Sequence, residues 1–341
     1  MIQLKINNYN IDFEKAVKEI NKKGYKKVVI QFPEGLKNIF SDIVQLFEKK
    51  TDATIIMSGD PCYGACDLVE SGFLDMGIDF VIQIGHEPIP NISNMLIPTL
   101  FLVARADQDI STVINKALPK LSGKKIGILT TAQHLHKIDE IKKILQENGF
   151  ETIIGKGDSR INKDGQILGC NFSSATSISD KVDIFIYVGS GTFHPLGLLL
   201  STKKPIIMCN PYTNEIKTKD LDDLKDMTLR QRYGAIARSK DANNFGILIG
   251  TKKGQQRYQR AIEIKKNIED KEKKAYFIMQ NYFIPSFLEG FRDIDCFVSV
   301  ACPRIAIDDY MQYKIPILTP IELEILLGLK KWDEYSFDNI E

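Results

Sequence analysis

The stretch KKVVIQFPEGL (26–36) decides the fold because it returns twice, in altered form, later in the chain. Its counterparts are KKIGILTTAQHLH (124–136) and NFGILIGTKKGQQR (244–257). Each contains a short apolar run, partly β-branched, that ends at Gly, Thr or Pro, which is the pattern of a buried strand followed by a turn. An amphipathic segment with apolar residues three and four apart follows each stretch. The three stretches therefore predict three copies of a strand followed by a helix.

Three further apolar segments complete each copy. The second strands are predicted at 53–59, 151–157 and 275–281, the third at 79–87, 183–195 and 295–304, and the fourth at 97–104, 204–213 and 315–320. Strands that alternate with helices are typical of a parallel sheet covered by helices. We predict an α/β fold of three pseudo-symmetric domains, each a four-stranded parallel sheet with flanking helices. The predicted domains are 1–121, 122–218 and 219–341, divided near Ser122 and within the charged stretch 216–243.

One cysteine in each copy follows a predicted strand. Cys66 and Cys170 come after the second strands of the first and second copies, and Cys302 ends the third strand of the third copy. Ligands of parallel sheets bind beyond the carboxyl ends of the strands. Three similar domains around one axis would bring these thiols to one centre, and small neighbours such as Gly64 and Gly169 would allow close approach of the backbone. We predict a 4Fe–4S cluster held by three thiolates, with one iron left open for a substrate.

The other three cysteines are weaker candidates. Cys62 forms a C-x3-C pair with Cys66, so either thiol could serve as the first ligand. Cys296 begins a strand and would lie at the opposite end of its sheet, and Cys209 is typical of a small buried apolar residue. Two alternatives remain open, namely that all six cysteines only pack in the interior or that some bind zinc. Zinc sites usually contain C-x2-C pairs, and the sequence has none.

Loops at the predicted strand ends could bind a small charged molecule. GSGTFHP (189–195) offers backbone N–H groups at the start of a helix, which favour a carboxylate or phosphate. TTAQH (130–134) and QFPEG (31–35) occupy the matching positions after the first strands, and Arg160 and Arg304 could donate to a carboxylate. The sequence contains neither the lysine motif of nucleotide hydrolases nor G-x-G-x-x-G after the first strand.

Composition narrows the class of protein. The chain has 341 residues, of which 43% are hydrophobic and 26% charged, as in soluble globular proteins. Its 45 basic and 44 acidic residues give a net charge of +1, so we expect no direct nucleic-acid binding and no attachment to a membrane. No apolar stretch is long enough to span a bilayer and no secretory signal is evident, which predicts a cytoplasmic protein.

Several motifs resemble the diphthamide synthase family, the archaeal 2-(3-amino-3-carboxypropyl)histidine synthases, over nearly the whole chain. The motifs that carry the resemblance are QFPEGL (31–36), YGACD (63–67), TTAQH (130–134), GDSR (157–160), LGCNFS (168–173), GSGTFHPLG (189–197), CNPYT (209–213), ACPRIAIDDY (301–310) and LTPIELEILLG (318–328). The resemblance implies that Cys66, Cys170 and Cys302 are the cluster ligands, with Cys62 as an extra thiol outside the family pattern. Val69 stands where ordinary radical S-adenosylmethionine enzymes have their third cysteine.

The resemblance also implies a reaction. It implies a non-standard radical S-adenosyl-L-methionine enzyme. One electron from the reduced cluster cleaves the bond from sulfur to the γ-carbon, giving methylthioadenosine and the 3-amino-3-carboxypropyl group as a radical. That group is transferred to a histidine of translation elongation factor 2, in the first step of diphthamide biosynthesis. Archaeal members are homodimers, and the electron donor stays open.

The same loops supply candidate residues for binding S-adenosylmethionine: Thr131, Gln133, Ser190, Gly191, His194 and Arg304. Two alternatives belong to other classes. A 4Fe–4S dehydratase of the quinolinate synthase type also combines three pseudo-symmetric α/β domains with one cysteine each. A non-catalytic α/β metal-binding protein is the second alternative.

Overall fold

The structure is a computed structural model that describes residues 3–6, 8–68, 71–92 and 95–340. Its strands are β1 (Gln3–Ile6), β2 (Tyr9–Asp12), β3 (Lys27–Gln31), β4 (Thr54–Met57), β5 (Phe80–Ile84), β6 (Thr99–Leu102), β7 (Arg105–Ala106), β8 (Lys125–Thr130), β9 (Glu151–Ile153), β10 (Ile184–Val188), β11 (Ile206–Asn210), β12 (Glu215–Lys217), β13 (Asn244–Gly250), β14 (Lys274–Gln280), β15 (Cys296–Ser299) and β16 (Ile317–Leu318). Its α-helices are α1 (Glu14–Lys23), α2 (Phe40–Lys50), α3 (Ser71–Asp75), α4 (Ser111–Ala117), α5 (Ile138–Glu147), α6 (Ser173–Thr176), α7 (Phe193–Thr202), α8 (Lys219–Arg238), α9 (Tyr258–Glu269), α10 (Pro285–Leu288), α11 (Arg304–Ile307) and α12 (Pro320–Leu326). Val69 lies outside the described residues. Within the described ranges, no helix has both the length and the hydropathy needed to cross a membrane.

Three sheets share one strand order. The first has the order β4-β3-β5-β6, the second contains β9-β8-β10-β11, and the third has the order β14-β13-β15-β16. In each sheet the first strand of the copy lies between the second and the third, and it runs parallel to both. The predicted α/β class, with several parallel sheets and flanking helices, is confirmed.

One detail of the predicted sheets is wrong, and one sheet was missed. The second sheet has five strands rather than four, because β12 pairs beside β11. A separate sheet of order β1-β2-β7, with antiparallel pairs, was not predicted at all. Both additions consist of strands of two to four residues that carry charged side chains, so they lack the apolar run that reveals a buried strand.

An aspartate fixes the start of each parallel sheet. Asp79, Asp183 and Asp295 each directly precede the third strand of their copy, and the carboxylate accepts hydrogen bonds from two successive backbone N–H groups at the start of the first strand. These N–H groups lie at or beyond the end of the hydrogen-bonded pairing of the strands. Without the carboxylate they would have no partner inside the sheet. The repeated aspartate therefore sets the register of the first strand against the third.

Central strands are buried on both faces because helices cover both sides of each sheet. In β10 and β15 every residue is buried, and in β3 only the first residue is exposed. This explains why the sequence shows continuous apolar runs rather than an alternating pattern.

The chain divides into two compact units. The first comprises Met1–Ile167, Ser173–Ser190 and Ile207–Ile216, and the second comprises Leu168–Phe172, Gly191–Ile206 and Lys217–Glu341. The first two parallel sheets belong mainly to the first unit, and the third sheet belongs to the second. Cys170 falls in the second unit as part of Leu168–Phe172, although the residues just before and just after that segment belong to the first unit. The division into three domains stays a prediction.

The charged stretch 216–243, within which a domain boundary is predicted, is mostly helical. It forms α8, whose Arg232 has no exposed side-chain surface and pairs with the equally buried Glu322. A run of charges is therefore only partly solvated here, because one of its arginines belongs to the core.

Candidate functional site

Cys66 lies in a tight turn beyond the carboxyl end of β4. The N–H of Asp67 donates to the carbonyl of Gly64 at 3.0 Å, and the buried Asp67 carboxylate accepts from the N–H of Tyr63 at 3.1 Å. A Cβ on Gly64 would lie 3.5 Å from the Cys66 sulfur. The Gly64 carbonyl also accepts a hydrogen bond from the Gln83 side chain at 3.3 Å. The turn thus holds Cys66 half-buried, with no side chain on Gly64 to cover its thiol.

Cys170 lies at the tip of a very short hairpin. Leu168 and Asn171 exchange backbone hydrogen bonds of 3.0 and 3.2 Å, so Gly169 and Cys170 form the turn between them. A Cβ on Gly169 would lie 2.9 Å from the ring of Phe193, a contact that only glycine avoids. The tip therefore packs closely against the start of α7 and presents Cys170 as a half-buried thiol.

Cys302 follows the buried end of β15. Val300 donates to the carbonyl of Leu248 at 3.0 Å, which continues the pairing of β13 and β15 by one residue. The chain then turns into α11, with the N–H of Ile305 bonded to the carbonyl of Cys302. Cys302 is half-buried beside the core cluster that contains Ala301. It therefore occupies the carboxyl edge of the third sheet, as predicted.

The other cysteines are buried. Cys62 is 3% exposed, and Cys209 and Cys296 have no exposed surface. Burial raises the pKa of both the Cys209 and the Cys296 thiols to about 12. Because iron and zinc bind the thiolate, these two thiols are poor ligands. The half-buried cysteines are therefore the three that were predicted to bind the cluster, and the buried Cys62 is a less accessible alternative to Cys66.

Within the described residues, no three or more His, Cys, Asp or Glu side chains are grouped as ligands of a single metal ion. Three thiolates that bind different irons of a 4Fe–4S cluster stand farther apart than the ligands of one ion.

The candidate residues Thr131, Gln133 and Ser190 lie in the first unit. Burial raises the hydroxyl pKa of Tyr187 on β10, and the Thr131 side chain acts on that pKa in the opposite direction. Gln133 donates to the carbonyl of Gly85, which follows β5, at 3.5 Å. Ser190 is exposed after β10. All three occupy the strand-end edge that the sequence indicated.

Gly191, His194 and Arg304 lie in the second unit. Gly191 has a φ of 73°, the left-handed conformation that favours glycine. Burial, assisted by the charge of Arg304, lowers the pKa of His194 to about 4, so its ring is neutral at pH 7. The Arg304 guanidinium lies 4.7 Å from the ring centre of Phe193 and pairs with Asp308 at 2.7 Å. Arg304 is therefore already engaged with an acid, whereas the sequence suggested only an open donor.

Arg160 is 5% exposed, so it is not an ordinary surface arginine. Its backbone N–H donates to the Asp158 carboxylate at 2.9 Å, within the GDSR motif.

Comparison with known proteins identifies the family. The family model for diphthamide synthesis proteins matches residues 32–336. The chain belongs to the diphthamide synthesis family. It is 37% identical to the 2-(3-amino-3-carboxypropyl)histidine synthase of Pyrococcus horikoshii, over 97% of this chain and 94% of that protein. It is 31% identical to the synthase of Methanocaldococcus jannaschii, over 98% of this chain and 94% of that protein.

One similar protein is eukaryotic, and another has a solved structure. The chain is 28% identical to subunit 1 of the Schizosaccharomyces pombe synthase, over 99% of this chain and 78% of that protein. A crystal structure of Dph2 from Pyrococcus horikoshii with a 4Fe–4S cluster superposes with a TM-score of 0.89 at 35% identity, covering 99% of this chain and 95% of that one. Diphthamide family membership and the α/β fold are thus supported by both sequence and structure.

Three further polar residues lie at strand ends of this family member. Gln31 belongs to the predicted loop QFPEG, whereas Gln83 and Lys252 were not predicted. Gln31 and Gln83 are paired neighbours on β3 and β5; both are buried, and their side-chain carbonyl oxygens accept no hydrogen bond within the described residues. In the second unit, Lys252 is 3% exposed after β13, with its ammonium 3.8 Å from the ring centre of Tyr282. A polar residue at the end of a buried apolar run is the signal that could have found the two missed residues.

Proposed function

We propose that the chain is a 2-(3-amino-3-carboxypropyl)histidine synthase. It would transfer the 3-amino-3-carboxypropyl group of S-adenosyl-L-methionine to a histidine of elongation factor 2. The observation that carries the proposal is the exposure of the cysteines. Of the six, only Cys66, Cys170 and Cys302 are half-buried, and each lies in a turn beyond a strand of a fold shared with a 4Fe–4S protein.

The proposed cluster ligands are Cys66, Cys170 and Cys302, and their surroundings fit a bulky inorganic group. Gly64 and Gly169 precede two of the thiols: a Cβ on Gly64 would only come into ordinary contact with the Cys66 sulfur, whereas one on Gly169 would press against the ring of Phe193. When bound, the cluster would supply an electron and an open iron for cleavage of the bond from sulfur to the γ-carbon.

We assign the binding of S-adenosylmethionine to Thr131, Gln133, Ser190, Gly191, His194 and Arg304. The neutral His194 ring and the backbone N–H groups after Gly189 can donate hydrogen bonds to a carboxylate or a ribose. Arg304 can bind a carboxylate only by sharing its guanidinium with Asp308.

The proposal includes three domains related by pseudo-symmetry around the cluster, a homodimer and a cytoplasmic location. Family membership and the shared strand order of the three sheets support it. Elongation factor 2 would be the protein substrate, reached through the histidine that accepts the transferred group.

Anaerobic incubation of the reconstituted protein with dithionite and S-adenosylmethionine tests the chemistry. We expect about four irons per chain and formation of methylthioadenosine, because the cleaved bond is on the γ-carbon side. The single variants Cys66→Ala, Cys170→Ala and Cys302→Ala should lose the cluster, while Cys209→Ala, the matched control, should keep it. Formation of 5′-deoxyadenosine, or a metal content of one or less per chain, would contradict the proposal. Loss of the cluster in Cys62→Ala but not in Cys66→Ala would change the first ligand.

A further inference from the structure

The segment Phe337–Ile340 is packed against the hairpin that carries Cys170. The N–H of Ile340 donates to the carbonyl of Cys170 at 2.7 Å. In return, the carbonyl of Ile340 accepts from the buried Asn171 side chain at 2.9 Å. Residue 340 therefore bonds the Cys170 hairpin through both of its backbone polar groups. The family match ends at residue 336, so this segment lies beyond the part of the chain that the match describes.

Phe337 adds an aromatic contact on the same hairpin. Its ring is 1% exposed and meets the ring of Phe172 edge-on, with centroids 5.2 Å apart. It also meets the ring of Phe193, at 5.8 Å. Phe172 in turn lies directly on Gly197 of α7, where a Cβ would be 2.2 Å from the ring. The hairpin thus packs against both α7 and residues 337–340, which also contact each other through Phe193 and Phe337.

An ion pair fixes the segment itself. The Asp338 carboxylate, 5% exposed, accepts two hydrogen bonds from the Arg257 guanidinium, at 2.7 and 3.0 Å. Arg257 directly precedes α9, so the contact joins the segment to the helices of the third sheet. This two-point geometry fixes the direction of the chain as well as its distance.

The hairpin needs such support. A two-residue turn closed by one pair of residues does not hold a fixed shape in water without packing. Asn171 and Phe172, which follow the thiol, owe their burial in part to Ile340 and Phe337.

We propose that Phe337–Ile340 is the positioning element for Cys170: the segment clamps the hairpin so that the thiol points to a fixed place. In this proposal the segment is a positioning element, which acts through the Cys170 hairpin and the ring of Phe193 that it contacts. This inference rests on the proposed role of Cys170 as a cluster ligand.

Alkylation of the metal-free protein tests the clamp without the cluster. We would treat the unaltered chain and the variants Phe337→Ala, Phe337→Leu and Asp338→Asn with iodoacetamide, and follow Cys170 and Cys302 separately by mass spectrometry. Alkylation of Cys170 should be at least about tenfold faster in Phe337→Ala. This corresponds to a loss of about 1.4 kcal/mol in the free energy that keeps the Cys170 hairpin packed. Phe337→Leu and Asp338→Asn should have smaller effects in the same direction, while Cys302 stays within about twofold in all of them.

Phe245→Ala is the matched control, because Phe245 is equally buried in the same unit but belongs to another core cluster. It should not change the ratio of Cys170 to Cys302 alkylation. Circular dichroism shows whether Phe337→Ala folds. If it does not, the alkylation ratios of Phe337→Leu and Asp338→Asn test the clamp instead. An unchanged ratio in the folded variants overturns the clamp.

Reconstitution separates this inference from the proposed function. If the unaltered chain binds no cluster, the proposed function fails whatever the alkylation shows. If the unaltered chain binds about four irons, we expect Phe337→Ala to bind fewer and to show the electron paramagnetic resonance signal of an incomplete cluster. A complete and spectroscopically unchanged cluster in that variant would contradict the clamp.

Discussion

Arg232 and Glu322 form an ion pair in which neither side chain has exposed surface. Two nitrogens of the guanidinium donate to the two carboxylate oxygens, at 2.8 and 2.6 Å, and guanidinium N–H groups also bond the carbonyls of Ala306 and Ile317. Glu322 also accepts from the N–H of Thr319. The pair therefore joins α8, β16 and the start of α12 through one residue from a charged helix.

Arg232→Met should destabilise the protein strongly, because it leaves the buried Glu322 carboxylate without its cation. We expect a loss of about 3–5 kcal/mol in the free energy of unfolding of the metal-free protein, measured with urea. Arg238→Met, on the exposed end of the same helix, should change it by less than about 0.5 kcal/mol. The double variant Arg232→Met/Glu322→Leu should recover much of the loss, since no unpaired charge remains. A cost near that of Arg238→Met would show that the pair is not structural.

At the scale of elements, the starts of the first strands depend on the aspartates that precede the third strands. Gly123 precedes β8 with a φ of 82°, and a Cβ there would be 2.4 Å from the Asp183 side chain. Gly149 has nearly the same backbone, with a φ of 84°, but a Cβ at this position would have open space within 4 Å. Substitutions at the two glycines can therefore be compared to separate the cost of backbone strain from the cost of displacing Asp183.

Both Gly123→Ala and Gly149→Ala should destabilise the protein by about 1 kcal/mol for the left-handed backbone. Gly123→Ala should cost roughly a further 1–3 kcal/mol, because Asp183 must move away from the N–H groups of Lys124 and Lys125. Urea denaturation of the two variants measures the difference. Equal costs would mean that the Asp183 contact contributes little.

The same arrangement in the third sheet gives a pH dependence. Hydrogen bonds from the backbone N–H groups, first that of Asn243, lower the pKa of Asp295 below its ordinary value. An acid whose pKa is lower in the folded state stabilises the fold above its unfolded pKa of about 3.9, and loses that effect as the pH falls through the folded pKa.

Asp295→Asn should therefore be less stable than the unaltered protein by a constant amount between about pH 5 and 7, and the gap should narrow below about pH 4. Unfolding free energies measured across this range test it. Asp293→Asn, which removes the same charge from an exposed neighbour, controls for net charge. A gap that stays constant down to about pH 3 would contradict the assignment.

On the scale of the whole molecule, the two compact units should unfold in separable steps. Chains of this length that contain more than one compact unit often populate intermediates. Trp332, the only tryptophan of the sequence, lies in the second unit and contacts Tyr233 and Tyr335. Its fluorescence therefore reports that unit, while far-ultraviolet circular dichroism reports both.

We expect the urea transitions followed by fluorescence and by circular dichroism not to coincide in the metal-free protein. Arg232→Met should shift the fluorescence transition to lower urea and leave part of the circular dichroism change in place. Coincident transitions in both proteins would show that the two units unfold together.

The sequence by itself determined the fold class, the main strands of the parallel sheets and the three candidate cysteines. It could do so because continuous apolar runs mark buried strands whatever surrounds them, and because the repeat showed that Cys66, Cys170 and Cys302 follow strand ends. Short strands such as β12 and the N-terminal sheet gave no such signal, since their residues are partly charged and too few to form an apolar run.

Only the tertiary structure decided which cysteines are buried and which polar residues belong to the core. In the sequence, Arg232 does not differ from the other charged residues of α8. Only the fold brings it beside Glu322, which lies 90 residues later in the chain. Ile340 and Cys170 are still farther apart in sequence, and no local pattern predicts their contact. Burial and hydrogen bonding at these residues depend on partners that local propensity does not encode, so the repeat could place Cys170 after a strand but could not show what holds it there.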